Sequence, residues 1–169
     1  MEVIKWIMYI LIFGASTKIG ILFSQRYEKR VSELKEFKSA FTILKTKIRY
    51  TYEPLKDIFE EIINCTNGRA KNVFIETCKY IDIENSTESW NRAITNTPLN
   101  ITTEDKTVIM QLGKMLGKTD KDGQISQIDV TLNFLDMQIE KAEYDKQKNA
   151  KLYKTLGAIA GAGIIIILL

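Results

Sequence analysis

Apolar side chains are concentrated at the two ends of the chain, and the residues between them mix apolar and polar positions at helical spacing. The N-terminal run extends from Val3 to Phe23 and contains two charged residues, Lys5 and Lys18. As a helix it would extend about 32 Å, close to the roughly 30 Å hydrocarbon core of a bilayer. We therefore expect residues 1–23 to form a retained transmembrane helix, with a cleaved signal peptide as the alternative.

The C-terminal run, LGAIAGAGIIIILL, covers residues 156–169 and carries no charged side chain. It would extend only about 21 Å as a helix, so we expect a short membrane segment whose full crossing of the bilayer stays open. Gly157 and Gly161 are spaced for close helix contact. We expect Gly14 and Ala15 of the first run to form the opposing surface.

The residues between the runs have the spacing of packed helices. A seven-residue repeat of large apolar side chains predicts one long helix that continues from the first membrane run; its members are Tyr27, Leu34, Phe41 and Ile48. Shorter helices are predicted after Pro54 and around residues 70–80 and 90–94.

Two further helices are predicted in the second half of the chain. Thr102 and Asp105 have the spacing of a capping box and should open one of them. Apolar residues three and four apart from Ile125 onward predict a long final helix that reaches the C-terminal run. The fold class is therefore all-α, a helical bundle with a long N-terminal and a long C-terminal helix, each continuing into a membrane segment.

The stretch LGKMLGKTDKDGQ, residues 112–124, contains two aspartates spaced as in a calcium loop. An EF-hand loop that began at Asp120 would need Gly at its sixth and Glu at its twelfth position, where this chain has Ile125 and Thr131. We therefore expect a turn between two helices, the first of which ends near Lys118.

Two glycines in the same stretch lie four residues apart. On one helix these glycines, Gly113 and Gly117, would share a face that a neighbouring backbone could approach closely, with Leu112 and Leu116 beside it. Internal packing is the favoured role of this face, and docking of another protein is the alternative.

The composition excludes most catalytic chemistry. The chain has no His, and its two cysteines, Cys65 and Cys78, match no zinc-binding spacing. We expect no catalytic, cofactor-binding or metal-binding residues and no enzyme activity. The alternative is a membrane-anchored enzyme that uses carboxylates, for which the densest acidic group is Asp57, Glu60 and Glu61.

Charge is distributed unevenly along the chain. From Lys18 to Arg49 there are nine Lys or Arg against three Glu, whereas from Glu53 to Asp105 there are ten acidic and five basic residues. By the positive-inside rule, the basic residues predict that the middle domain, residues 24–155, lies in the cytosol. We expect these basic residues to contact membrane lipid and not nucleic acid. The acidic span is the expected docking face for a cytosolic partner.

Several short motifs resemble signatures of the stage III sporulation protein AB family of spore-forming bacteria. They are Ser16-Thr17-x-x-Gly20 with Tyr27, Arg30 and Leu34; Ile48-x-Tyr50-x-x-x-Pro54-Leu55; Leu112-Gly113-x-x-Leu116-Gly117-x-x-Asp120 with Gly123-Gln124; and Leu156-Gly157 with Gly161. Their order covers nearly the whole chain.

The resemblance implies a protein of the mother-cell membrane, in the assembly that links mother cell and forespore. In that assembly it is similar to the inner-membrane platform protein of type II secretion, whose cytosolic helices meet a secretion ATPase. The implied partners are an ATPase-like stage III sporulation protein AA and other membrane proteins of the same complex. A homo-oligomer stays an open alternative.

Overall fold

The computed structural model describes residues 2–117 and 120–168, and those residues form six helices and no strand. The helices are α1 (Glu2–Tyr50), α2 (Leu55–Cys65), α3 (Gly68–Tyr80), α4 (Ser86–Asn96), α5 (Thr103–Gly113) and α6 (Lys121–Leu168). The predicted all-α fold with a long helix at each end is confirmed. Both long helices contain a stretch that is long and apolar enough to cross a membrane.

Local sequence explains most helix boundaries. The chain contains no proline before Pro54, so α1 runs without a break for 49 residues. Pro54 then precedes α2, because a proline restricts the residue before it to extended conformations and is well tolerated at a helix start. The predicted capping box is present at α5, where Thr102 and Asp105 each accept a hydrogen bond from the other's backbone N–H.

The chain divides into two compact units, and α1 and α6 contribute to both. The bundle unit comprises residues 32–140, and the helix-pair unit comprises residues 1–31 and 141–169. This division differs from the expected boundaries at residues 23 and 155, because the paired ends of α1 and α6 extend beyond their apolar runs.

An aromatic cluster forms the core of the bundle unit. Trp90 of α4 is fully buried, and its ring centroid lies 5.3 Å from that of Phe74 and 6.0 Å from those of Phe41 and Phe59. Its indole Nε1 donates a 3.0 Å hydrogen bond to the carbonyl of Ile109. The polar edge of the ring is therefore satisfied inside the core, as a buried tryptophan requires.

The buried carboxylate of Glu33 connects separate segments of the bundle unit. Glu33 of α1 is only 3% exposed and accepts hydrogen bonds from the backbone N–H and the side-chain amide of Asn100, at 2.6 and 2.5 Å. The Nε of Arg69 lies 3.5 Å from the same side chain. One turn later, Glu36 accepts a 2.9 Å bond from the backbone N–H of Arg69, at the start of α3 where a negative charge is favoured.

In the helix-pair unit, small residues and backbone atoms make the closest contacts, and the rings of Phe23 and Tyr27 stack on Tyr153 with centroids 5.8 and 5.9 Å away. Ser16 donates a 2.7 Å hydrogen bond to the carbonyl of Gly157, and a methyl group added to Gly20 would lie 3.0 Å from Gly157 Cα. Gly161 packs against Phe13 and Ser16 in the same way. The two backbones thus approach closely along a surface of small residues.

The opposing residues in this contact differ from those expected. A methyl group added to Gly14 would meet nothing within 4 Å, and Ala15 is exposed, so neither forms the surface that receives Gly157 and Gly161. Ser16 and Gly20 take that place. The reason is helical phase, since residues 13, 16 and 20 share one face of α1 and residue 14 lies on the other side.

Candidate partner-docking surface

Two family-like stretches, far apart in sequence, meet at one groove of the bundle unit. The groove has a volume of about 290 Å³. Its first wall comes from the end of α1, the α1–α2 loop and α2, and its second wall comes from the α5–α6 turn and the start of α6. We call it the loop groove; it is lined by Ile48, Thr51, Tyr52, Glu53, Leu55, Ile58, Gly117, Lys121 and Gln124.

The first wall presents tyrosine side chains to solvent. Thr51 directly follows the last residue of α1, and its N–H and Oγ1 both donate to the carbonyl of Lys47, at 2.8 and 2.9 Å. The chain then has no regular secondary structure as far as Pro54. Tyr50, the last residue of α1, is 75% exposed, and Tyr52 in the following segment is 97% exposed. Two large amphipathic rings therefore face solvent, one at the end of α1 and one on the loop to α2.

The second wall corrects the predicted end of the preceding helix. Helix α5 ends at Gly113, and a tight turn follows in which Lys114 and Met115 donate to the carbonyls of Gln111 and Leu112, at 3.2 and 3.3 Å. The predicted end near Lys118 is wrong, and Lys118 itself lies outside the described residues. The hydroxyls of Thr87 and Ser86, at the start of α4, donate to the carbonyls of Gly113 and Leu116 and satisfy the end of this segment.

Gly113 and Gly117 therefore do not share a helix face. Gly113 is buried, and a methyl group there would lie 2.5 Å from Cδ1 of Trp90. Gly117 is exposed beyond the helix with φ of +73°, a conformation that favours glycine. Leu112 and Leu116 are fully buried or nearly so, so they contribute to the core and offer no surface for docking.

Asp120, the first of the two aspartates, caps α6, and Asp122 lies in the first turn of that helix. Asp120 Oδ1 accepts a 3.0 Å hydrogen bond from the backbone N–H of Gly123, and its carbonyl accepts one of 3.0 Å from Gln124. This is the geometry of an N-cap at the start of α6. Gln124 in turn accepts a 3.3 Å bond from the backbone N–H of Gly117, which fixes the turn against the helix.

A cation–π contact joins the two walls of the loop groove. The Lys121 ammonium lies 4.8 Å from the centroid of the Tyr52 ring. Neither residue was predicted as a site residue. Tyr50 and Gln124 belong to the motifs that carried the resemblance, but Tyr52 and Lys121 do not, and only the folded chain brings them together.

The predicted acidic residues lie on α2, which also supplies Leu55 and Ile58 to the groove. Asp57 and Glu60 are exposed, whereas Glu61 is half-buried and paired with Lys47 of α1. That carboxylate hydrogen bond raises the pKa of Lys47. Glu61 is therefore part of the contact between α1 and α2, and only Asp57 and Glu60 are available to a partner.

The two cysteines differ in their surroundings. Cys65 is exposed at the end of α2. Burial, with a smaller contribution from the nearby Glu60 carboxylate, raises the pKa of the Cys78 thiol to about 11. Cys78 is therefore a neutral thiol at physiological pH, because thiolate formation is disfavoured by desolvation.

A second exposed surface lies on α6 within the bundle unit. Val130, Phe134 and Met137 lie four and three residues apart and are 44%, 44% and 64% exposed. They form an apolar stripe on the outside of the helix. This stripe is the main competitor of the loop groove as a protein-binding surface.

Comparison with known proteins identifies the relatives of this chain. The family model described as Stage III sporulation protein AB matches residues 5–169. The stage III sporulation protein AB of Bacillus subtilis (strain 168) is 24% identical over 170 residues, which cover 98% of this chain and 99% of the relative. A solved structure of a stage III sporulation protein AB has a TM-score of 0.65 at 20% identity and covers 71% of this chain and 98% of that one. The resemblance inferred from the sequence motifs is thereby confirmed, and the solved structure shares the fold.

Proposed function

The chain belongs to the stage III sporulation protein AB family and is a protein of sporulation, and we propose that it acts as a non-enzymatic membrane platform that docks a secretion-type ATPase. In this proposal α1 and α6 anchor it in the mother-cell membrane, with the bundle unit in the cytosol. The partner is an ATPase resembling stage III sporulation protein AA, together with other membrane proteins of a channel between mother cell and forespore.

The observation that carries the docking role is the loop groove. Tyrosines are enriched at the energetic centres of protein interfaces, because their rings bury much apolar area while the hydroxyl can still form a hydrogen bond. Tyr52 is 97% exposed beside a concave surface lined by Leu55 and Ile58. A partner that covered this surface would bury the ring and the groove together.

The membrane anchoring rests on the exposed apolar side chains of α1 and α6. Within the helix-pair unit, Ile10, Leu11 and Ile167 are 71%, 66% and 84% exposed. Such side chains facing outward around a helix pair are typical of lipid contact, while the contacts between the helices use small residues. The lysines and arginines that follow α1's apolar run favour a cytosolic bundle unit by the positive-inside rule.

The competing enzyme hypothesis has less support. Its three carboxylates do not act as a group, since Glu61 is paired with Lys47 while Asp57 and Glu60 face solvent. Cys78 is a poor nucleophile with its pKa near 11. The loop groove itself offers apolar side chains, tyrosine and backbone groups, which suit protein contact better than bond cleavage.

The test is binding of the full-length protein, reconstituted in lipid nanodiscs, to the purified ATPase. Tyr52→Ala should weaken binding at least about tenfold, which corresponds to about 1.4 kcal/mol. The matched control is Tyr144→Ala, an exposed tyrosine of the helix-pair unit. Unchanged binding in Tyr52→Ala and in Lys121→Ala would overturn the assignment of the loop groove.

Two further variants separate the competing surfaces. If Phe134→Ser alone abolishes binding, the docking surface is the apolar stripe of α6. If the double variant Asp57→Ala with Glu60→Ala weakens binding and wild-type binding falls with salt, the acidic face of α2 contributes through charge. No measurable binding under any condition would overturn the platform function itself.

A further inference from the structure

One face of α1 in the helix-pair unit is exposed and carries a charge. This outer face, opposite Ser16 and Gly20, is formed by residues three and four apart: Ile7, Leu11, Gly14, Lys18 and Leu22. The three aliphatic members are 53% to 66% exposed, and Lys18 is exposed as well. A side chain added at Gly14 would enter open space.

Lys18 lies inside the apolar run, since the five residues from Ile19 to Phe23 that follow it are uncharged. A lysine at membrane depth normally pairs with a carboxylate or reaches the interface. This chain supplies no carboxylate at that depth. The apolar run has none between Val3 and Tyr27, α6 has none from Lys146 to Leu168, and Glu28, the next acid along α1, pairs with Lys154 at 3.7 Å.

Helix geometry disfavours a conformation in which the Lys18 ammonium reaches the nearer membrane–water interface. Five residues of helix separate Lys18 from the end of the apolar run, a rise of about 7.5 Å. Side chains on a helix tilt toward its N-terminus, so the Lys18 side chain extends over the preceding turn, away from that end. Gly14 lies in that preceding turn on the same face, and its missing side chain leaves space there.

We propose that the outer face of α1 binds a transmembrane helix of a different membrane protein, which carries an aspartate or glutamate at the depth of Lys18. The partner's carboxylate would meet the ammonium above Gly14, where the missing side chain allows a close approach. A symmetric pair of this chain through the same face would bring two Lys18 ammoniums together, so the partner is another protein. The inference rests on the membrane anchoring in the proposed function, but not on ATPase docking.

The test uses the full-length protein in vesicles of phosphatidylcholine and designed leucine-rich transmembrane peptides. One peptide carries a single Glu at the depth of Lys18, and its matched control carries Leu there. Association is measured by energy transfer between labels on peptide and protein. The Glu peptide should associate at least about fivefold more strongly than the Leu peptide, and Lys18→Leu should remove this preference.

Matched variants separate packing from charge. Gly14→Leu should weaken association of the Glu peptide severalfold, whereas Gly163→Leu, which also adds a side chain to open space, should not. The Lys18→Glu variant should associate more strongly with a peptide that carries Lys at this depth than with the Leu peptide. Equal association of the Glu and Leu peptides would overturn the proposal.

Two outcomes assign Lys18 differently. In the first outcome, Lys18→Leu leaves peptide binding unchanged but changes the enrichment of phosphatidylglycerol around the protein in mixed vesicles. Lys18 then binds lipid headgroups, and the proposal is wrong. Extraction of the wild-type protein from the vesicles by alkaline carbonate would refute both this inference and the membrane anchoring. Retention of the protein without a Glu preference would refute this inference alone.

Discussion

Helices α1 and α6 pack through different kinds of side chain in the two units. In the bundle unit large side chains of α1 form part of the core, so Phe41 and Leu44 are fully buried. In the helix-pair unit many large side chains point outward, so Ile10 and Leu11 of the same helix are 71% and 66% exposed, and small residues make the closest contacts between the helices. If α1 and α6 are anchored in a membrane as proposed, the difference follows from the solvent: water favours burial of large apolar side chains, whereas lipid accepts them on the outside of a helix pair.

The largest expected effect contrasts the two tryptophans. Trp90→Ala removes a fully buried ring and its hydrogen bond to Ile109 from the bundle core, and should lower the free energy of unfolding by about 3–5 kcal/mol. Trp6→Ala removes a ring of the helix-pair unit that is 62% exposed, and should cost far less. Thermal unfolding of the full-length protein in detergent, followed by circular dichroism, measures both. Equal losses would contradict the contrast between the units.

The next effect contrasts two glycines of α1. Gly20→Leu should separate α1 from α6 in the helix-pair unit, at a cost of about 1–3 kcal/mol or more, because even a methyl group would lie 2.5 Å from the carbonyl oxygen of Tyr153. Gly14→Leu should leave the separation of α1 and α6 unchanged in the isolated protein. The distance between spin labels at Tyr9→Cys and Ile165→Cys, with both native cysteines replaced by Ser, reports the separation. A wider distance in Gly14→Leu than in Gly20→Leu would reverse the assigned packing face.

A smaller effect concerns the turn that forms one wall of the loop groove. Asp120→Ala removes the cap of α6 and should destabilise the bundle unit by about 0.5–2 kcal/mol. Asp122→Ala, in the first turn of the same helix, is the matched control and should cost less. Neither wild type nor variant should respond to millimolar calcium, since the loop lacks the glycine and the closing glutamate of an EF-hand. Calcium-dependent stabilisation would contradict this interpretation of the turn.

The periodic parts of the sequence predicted the fold well. Leu34, Phe41 and Ile48 of the seven-residue repeat are all buried, and the capping box at Thr102 opens its helix as expected. Such features depend on spacing within one element, which the sequence contains. The end of α5 was mispredicted because LGKMLGK has a good helical pattern. The positive φ of Gly117 and the hydroxyls of Ser86 and Thr87 end the segment, and these contacts come from α4.

The candidate sites were predicted less well for the same reason. The first apolar run offers Gly14 and Gly20 at spacings that suit helix contact, and only the facing helix decides between them. The pairing of Glu61 with Lys47, and of Tyr52 with Lys121, likewise joins separate elements. Spacing along one sequence carries no information on such pairs, because their members lie far apart in the chain.

The last contrast is a difference in reactivity between the two cysteines. Burial raises the pKa of Cys78 from 9.0 to about 11, and two pKa units correspond to about a hundredfold lower thiolate fraction at neutral pH. Cys65 is exposed, so iodoacetamide should alkylate Cys65 first, and mass spectrometry of the digested protein quantifies both sites. Modification of Cys78 should accelerate as pH rises toward 11.

The same shift gives a pH dependence of stability with a defined sign. The folded bundle unit holds the Cys78 proton more tightly than the unfolded chain does, so this stabilisation is fully present below pH 9 and is lost as pH rises to about 11. Cys78→Ala removes the titrating group and should flatten that part of the stability profile, whereas Cys65→Ala is the matched control. Equal alkylation rates at pH 8 in the folded protein, or a profile that Cys78→Ala leaves unchanged, would show that the buried environment of Cys78 opens readily to solvent.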